Sequence, residues 1–270
     1  MAKKVKQVFW NKVKKVKVTL LLALVLALAY FSLSQGNLFI EKMLLESLSF
    51  STARPFNIVL YMFTHMSVWH LAVNVLSLLF FAAVFELALS GRDVAGCFFF
   101  SGILTVGFFS AFNPGVSLVG ASAGVWGVMA GSFVLDAKKA IAGFAVIVLL
   151  LLLVFPAAEF VVRAEEQALE SRQKELETKF NSAVAEGKTE EAEKIYVERI
   201  KVGEKASGFI RSREFAAKAK IDPFLHSYAA FFGIAYLMLF KRRETMKAIK
   251  KQKVLGFLKR GKKQKAGKKA

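Results

Sequence analysis

Four polar residues stand inside otherwise apolar runs and are of types that do chemistry together: His70 and Asn74 in one run, Ser122 in a second and His226 at the start of a third. A serine hydroxyl is a weak nucleophile until a neighbour takes its proton, and histidine is the usual acceptor near neutral pH. Ser122 and His226 would form such a pair for acyl transfer. No Asp lies within an apolar run to orient the histidine, so a dyad is expected rather than a triad. Trp126, one helical turn after Ser122, could fix the imidazole by stacking, and its face would favour the imidazolium formed during attack. The oxyanion of the tetrahedral intermediate needs donors, which the Asn74 amide, the His70 ring and the Ser122 backbone N–H could supply. His70 and Asn74 are four residues apart and share a helix face. This chemistry calls for no cofactor and no metal.

The surroundings of Ser122 admit a second reading. Gly120-Ala121-Ser122-Ala123-Gly124, followed by Val125-Trp126-Gly127, is a run of small residues that lets two membrane helices approach closely. Residue types alone leave both readings open. Glu86, within an apolar run, is expected to bond a neighbouring helix or loop. The single cysteine, Cys97, lies in Cys-Phe-Phe-Phe and cannot form an internal disulfide, so it reads as lipid-facing or core packing.

The elements that must position these groups follow from composition. At 55% hydrophobic residues with 27 phenylalanines, and with the apolar residues in blocks rather than at helical or strand periods, the chain is not a water-soluble domain. Six apolar runs are expected to cross a membrane as helices: residues 18–33, 68–89, 94–112, 118–135, 141–156 and 224–240. The first could be a cleaved signal peptide, with Ala27-Leu28-Ala29 as the cleavage site, or a retained anchor. Residues 34–67 read as a mixed, partly amphipathic connection lying in the membrane interface. Residues 157–222 are charge-rich and nearly neutral, with 13 basic and 14 acidic side chains. They are expected to form an extramembrane helical hairpin over 159–185 and 189–207, broken at Glu186-Gly187-Lys188. Leu169, Leu176 and Phe180 would face Ile195 and Ile200, with Thr189 as N-cap.

The net charge of +19 sits mainly in two tails that abut apolar runs: 7 Lys in residues 1–17, and 14 Lys or Arg against the single Glu244 in residues 241–270. That distribution argues for anionic lipid headgroups rather than nucleic acid as the partner of the tails, and for both termini on the cytoplasmic side with the insert outside. Five regions result: a basic tail (1–17), spans one to five (18–156), the charged insert (157–222), span six (223–240) and a second basic tail (241–270). Ser122 is 14 residues before Asp136 and His226 is 15 before Lys241. At the helical rise these are roughly 21 and 22 Å above one boundary of a core about 30 Å thick. The two side chains are therefore expected at one depth, and Asn74, 18 residues before Arg92, about one turn beyond them.

The chain resembles the rhomboid intramembrane serine proteases. The resemblance rests on Phe63-Thr64-His65 with Val68-Trp69-His70-Leu71-Ala72-Val73-Asn74, on Gly120-Ala121-Ser122, and on His226 with Ala229 and Gly233. It implies a rhomboid-like bundle of six membrane helices, here with a hairpin inserted between the fifth and sixth, cutting membrane-protein substrates near the outer boundary. It also implies a Ser122/His226 dyad, an oxyanion site from His70, Asn74 and the Ser122 backbone, and an aromatic at Trp126 under the histidine. Small residues would let the sixth span close on the fourth, which carries Gly120, Gly124, Gly127 and Gly131. Three positions depart from the family pattern: Ala229 stands where a glycine is usual, Phe56-Asn57 where Trp-Arg is common, and Trp126 where Tyr is commoner. The alternatives are an inactive rhomboid-like protein that binds or escorts membrane helices, and a small transporter, although no inverted repeat is apparent.

Overall fold

In hydrocarbon every backbone polar group must be satisfied within the chain, so the apolar runs become helices. A computed structural model describes residues 16–35, 37, 40, 42–218 and 223–252. Its helices are α1 Lys17–Ser34, α2 Lys42–Leu48, α3 Val68–Ala88, α4 Gly91–Phe112, α5 Ser122–Ala185, α6 Thr189–Lys218, α7 Pro223–Phe240 and α8 Arg242–Gln252. Two 3₁₀ turns, Pro55–Ile58 and Leu60–Phe63, precede α3. There is no strand among the described residues, only the isolated bridges Phe50 to Leu118 and Ser51 to Arg54. Of the basic tails, residues 1–15 and 253–270 lie outside the described residues, as do 219–222 of the insert, while 241–252 are described and include α8.

The core joins α3, α4, the start of α5 and α7, with α1 against α3; Leu78, Phe81, Phe85, Phe98, Val128 and Leu237 are fully buried in it. Local signals set the helix starts. The Ser67 hydroxyl accepts from the His70 N–H at the head of α3, and Ser90 accepts from the Asp93 N–H at the head of α4. Helix α1 has no cap of its own. The Glu86 carboxylate supplies one from α3, accepting from the Val18 N–H at 3.2 Å, the Thr19 N–H at 2.9 Å and the Thr19 hydroxyl at 2.6 Å. Cys97 is core packing, its thiol facing the Gly233 carbonyl of α7.

Among the described residues three helices, α1, α3 and α4, are individually long and apolar enough to cross a membrane, and α7 with α8 makes a fourth candidate bent by 108°. The expected fourth and fifth spans are two arms of one helix, α5, which breaks at Asp136 (φ −150°, ψ 77°). There the Asp136 carboxylate accepts from the Lys139 N–H and ammonium, capping the second arm. Burial alone would raise that carboxyl, but the hydrogen bonds from Lys139, with the charges of Lys139 and Lys251, hold it below the usual carboxylate range.

The second arm does not stop at Pro156 as expected. It runs on to Ala185, so the boundary placed between residues 156 and 157 falls inside one helix. A proline removes one N–H donor without ending a helix supported on both sides. The chain turns at Glu186-Gly187-Lys188, with Gly187 at φ +70°, and α6 packs back along α5. Leu169, Leu176, Ala183 and Ala192 are buried in that seam, and Phe180 meets Tyr196. Ile200 is 44% exposed and lies outside it. The Thr189 hydroxyl bonds the Gly187 carbonyl instead of acting as an N-cap.

Part of the connection over residues 34–67 packs into the core. Tyr61, Met62, Thr64 and His65 are buried, because Gly102 of α4 and Gly124 of α5 leave room for Met62. The Tyr61 hydroxyl donates to the Gly102 carbonyl at 2.9 Å.

Candidate active site

Ser122 is the first residue of α5 and is half-buried. A residue in that position has no intrahelical acceptor for its N–H, and the helix macrodipole adds positive potential there. The placement follows from the connection before it. Phe50 and Leu118 exchange backbone hydrogen bonds of 2.9 and 2.8 Å, and the Gly120 N–H donates to the Tyr61 carbonyl at 2.8 Å. Gly120 then turns the chain with φ +99°, a conformation that favours glycine.

His70, in the first turn of α3, lies against that turn. A Cβ on Gly120 would stand 2.6 Å from His70 Cε1 and 2.8 Å from Nε2. His70 Nδ1 is buried and has no hydrogen-bond partner among the described residues. Asn74 is buried one turn on, with its amide donating to the His70 carbonyl at 3.1 Å. An amide carries two hydrogens, and this bond engages one of them within α3.

His226 lies in the first turn of α7 and Trp126 in the second turn of α5. Their rings have centroids 5.1 Å apart and planes inclined by 34°. The helices that carry them run parallel and close. Gly127 faces Ala229 and Gly233, and Gly131 faces Leu237, so contacts advance in the same direction along both chains. A Cβ on Gly233 would stand 2.5 Å from Gly127 Cα. Ala229 is fully buried, and its carbonyl lies 3.2 Å from where a Gly127 Cβ would be. Its methyl therefore does not prevent close approach.

The small residues divide their tasks. Gly127 and Gly131 face α7, whereas a Cβ on Gly124 would meet Phe98 of α4 and Met62, so Gly124 packs away from α7. Gly120 is not a helix-packing residue at all, since it precedes α5 and shapes the turn against His70.

Two features of this region were given no role from the sequence, although His65 is among the residues that carry the rhomboid resemblance. His65, fully buried, accepts from the Ala121 N–H at 3.4 Å and meets the His70 ring edge-on, with centroids 5.1 Å apart. It thereby links the Ser122 turn to His70. Its spacing of five residues before His70 was visible, but that spacing by itself carries no direction. At the opposite end of α7, Lys241 pairs with buried Asp93 at 2.9 Å, and the Tyr236 hydroxyl also reaches Asp93. Among the described residues no group of His, Cys, Asp and Glu could hold a metal ion.

Residues 52–166 match the family model described as the Rhomboid domain. The matched segment contains His70, Asn74, Ser122 and Trp126 and stops before α7, which carries His226, Ala229 and Gly233. No curated protein and no solved structure matches the chain.

Proposed function

We propose that this chain, a rhomboid-family membrane protein by its match over residues 52–166, is an intramembrane serine endopeptidase acting through Ser122 and His226. The observation that carries this reading is the ring contact between Trp126 and His226, one turn from a serine at a helix N-terminus. A packing motif alone has no use for an imidazole held there by an aromatic face.

In this reading His226 takes the Ser122 proton as Oγ attacks the peptide carbonyl carbon. The oxyanion forms beside the Ser122 N–H at the head of α5, the His70 ring and the second Asn74 amide hydrogen. His226 then returns its proton to the leaving amine, and a water molecule activated by the same histidine hydrolyses the acyl-enzyme. Trp126 favours the imidazolium in both steps.

In this reading the chain crosses a cell membrane six times, the two arms of α5 supplying the fourth and fifth crossings. Both termini are cytoplasmic, and the α5–α6 hairpin projects from the outer face. The substrates are single-span or multi-span membrane proteins, cut near their outer boundary where water reaches the site. The hairpin caps the site or recruits substrates.

The test is cleavage of a labelled single-span substrate by the full chain in vesicles. Ser122→Ala and His226→Ala are each expected to abolish it while leaving helicity and thermal stability unchanged. Equal cleavage by either variant would refute the dyad. Absence of cleavage by the unmodified chain across many substrates, with no labelling of Ser122 by serine-directed reagents, would favour a binding protein.

A further inference from the structure

Helix α8 leaves α7 at a bend of 108°, immediately after the last apolar residue of α7, so it runs across the end of the bundle rather than continuing through it. It is fixed at both ends. Lys241, at the bend, pairs with Asp93 at the head of α4, and the Gln252 amide donates 3.0 Å to the Val134 carbonyl, next to the break in α5. Between these points Thr245 is fully buried and Ala248 packs against the core.

The opposite face is basic. Arg242, Arg243, Lys247, Lys250 and Lys251 are exposed, and none makes an ion pair among the described residues. Lys138 and Lys139 are exposed at the adjoining turn of α5, Lys139 paired there with Asp136. Met246, 41% exposed, and half-buried Ile249 add an apolar flank to the helix.

We propose that this face of α8, with Lys138 and Lys139, is a docking surface for the headgroups of anionic phospholipids. A helix held in the membrane plane directly below an apolar span lies at headgroup depth. Its apolar flank can meet acyl chains while its cations meet phosphate. A soluble polyanion would have no use for that flank. Because α8 is tied to α4 and to the carbonyl at the end of the Ser122 arm, lipid bound here also steadies the end of the bundle opposite Ser122. The proposal does not depend on the protease reading.

The experiment uses the full chain in phosphatidylcholine vesicles and measures, by spin-labelled lipids, the association of phosphatidylglycerol relative to phosphatidylcholine. With each basic group near an anionic surface supplying roughly a fivefold preference at most, changing all five α8 residues to Gln is expected to reduce the selectivity at least about tenfold. The pair K250Q/K251Q should give a smaller, graded loss that cannot come from misfolding. Deleting residues 253–270 should leave most of the preference, and inorganic phosphate should not compete. Unchanged selectivity in the five-residue variant, or its complete loss on deleting 253–270, would overturn the proposal. So would binding of a nucleic-acid oligonucleotide that vanishes in the five-residue variant while the lipid preference stays.

Discussion

Gly233→Ala tests how tightly α5 and α7 must close. In the native packing the added Cβ would fall 2.5 Å from Gly127 Cα, with the Gly127 carbonyl nearer still, whereas ordinary van der Waals contact begins at 3.4 Å. The obstacle is backbone, which cannot swing aside as a side chain can, so the helices must separate by about 1 Å. Overpacking of this kind costs about 1–3 kcal/mol. The Trp126–His226 contact sits beside that crossing, so separation carries His226 away from Ser122. A misplacement of about 1 Å lowers a rate by roughly 100-fold, equivalent to about 2.7 kcal/mol on the barrier. The assay is the initial rate of cleavage of a single-span reporter in vesicles at saturating substrate, with thermal unfolding in detergent to establish that the chain is folded. Gly107→Ala is the control, because a Cβ there meets nothing within 4 Å. A folded Gly233→Ala chain that cleaves within about twofold of the unmodified rate would refute the argument that this crossing sets the dyad geometry.

Three further outcomes are expected. Gly120→Ala places a methyl 2.6 Å from His70 Cε1 at a backbone φ of +99°, so kcat should fall by about 100-fold or more with little change in KM; a fall confined to KM would show that the turn serves substrate binding. Glu86→Ala removes three hydrogen bonds from the head of α1 and should cost about 2–3 kcal/mol, read as earlier thermal unfolding and faster amide exchange at Val18 and Thr19, while the cleavage rate of the folded fraction is unchanged. Replacing residues 160–215 by a short linker joins neighbouring chain positions, because Lys205 pairs with Glu165 across the hairpin; the variant should stay folded and retain basal cleavage of a short reporter but lose rate on substrates with large outer domains, and unchanged cleavage of every substrate would remove any role for the hairpin.

Much of the fold was legible because its causes are local. The runs that became α1, α3, α4 and α7 are bounded by serine caps, charges or Asn113-Pro114-Gly115, and burial of apolar blocks needs no long-range information. Legibility failed where a local signal was outvoted. Pro156 and the charge-rich residues after it read as the end of a span, yet α5 continues through them, supported by α6 along the charged half. The burial of Tyr61 and Met62 was hidden for the opposite reason. It depends on space left by Gly102 and Gly124, residues 40 and 62 positions away from Met62.

At the candidate site, helical rise led to the expectation of one depth for Ser122 and His226, and the place of Trp126 one turn after Ser122 to the expectation of a ring contact with His226, which the structure shows. What rise cannot supply is where a helix begins. The apolar pattern started at Leu118, and on that pattern Ser122 would sit in the second turn with its N–H bonded to Leu118. The observed start at Ser122 depends on the backbone exchange between Phe50 and Leu118, the bond from Gly120 to Tyr61 and the one from Ala121 to His65, all made by a connection whose own residues are irregular in sequence. That start changes the meaning of the small residues. Gly120 serves a positive-φ turn, Gly124 admits Met62 and Phe98, and only Gly127 and Gly131 admit α7. Because α5 starts at Ser122 and the Leu118 carbonyl accepts from Phe50, the Ser122 N–H is not part of the helical ladder, which is what the proposed oxyanion role requires. In the proposed reading the same five-residue stretch serves both packing and chemistry, with the division falling at the helix start.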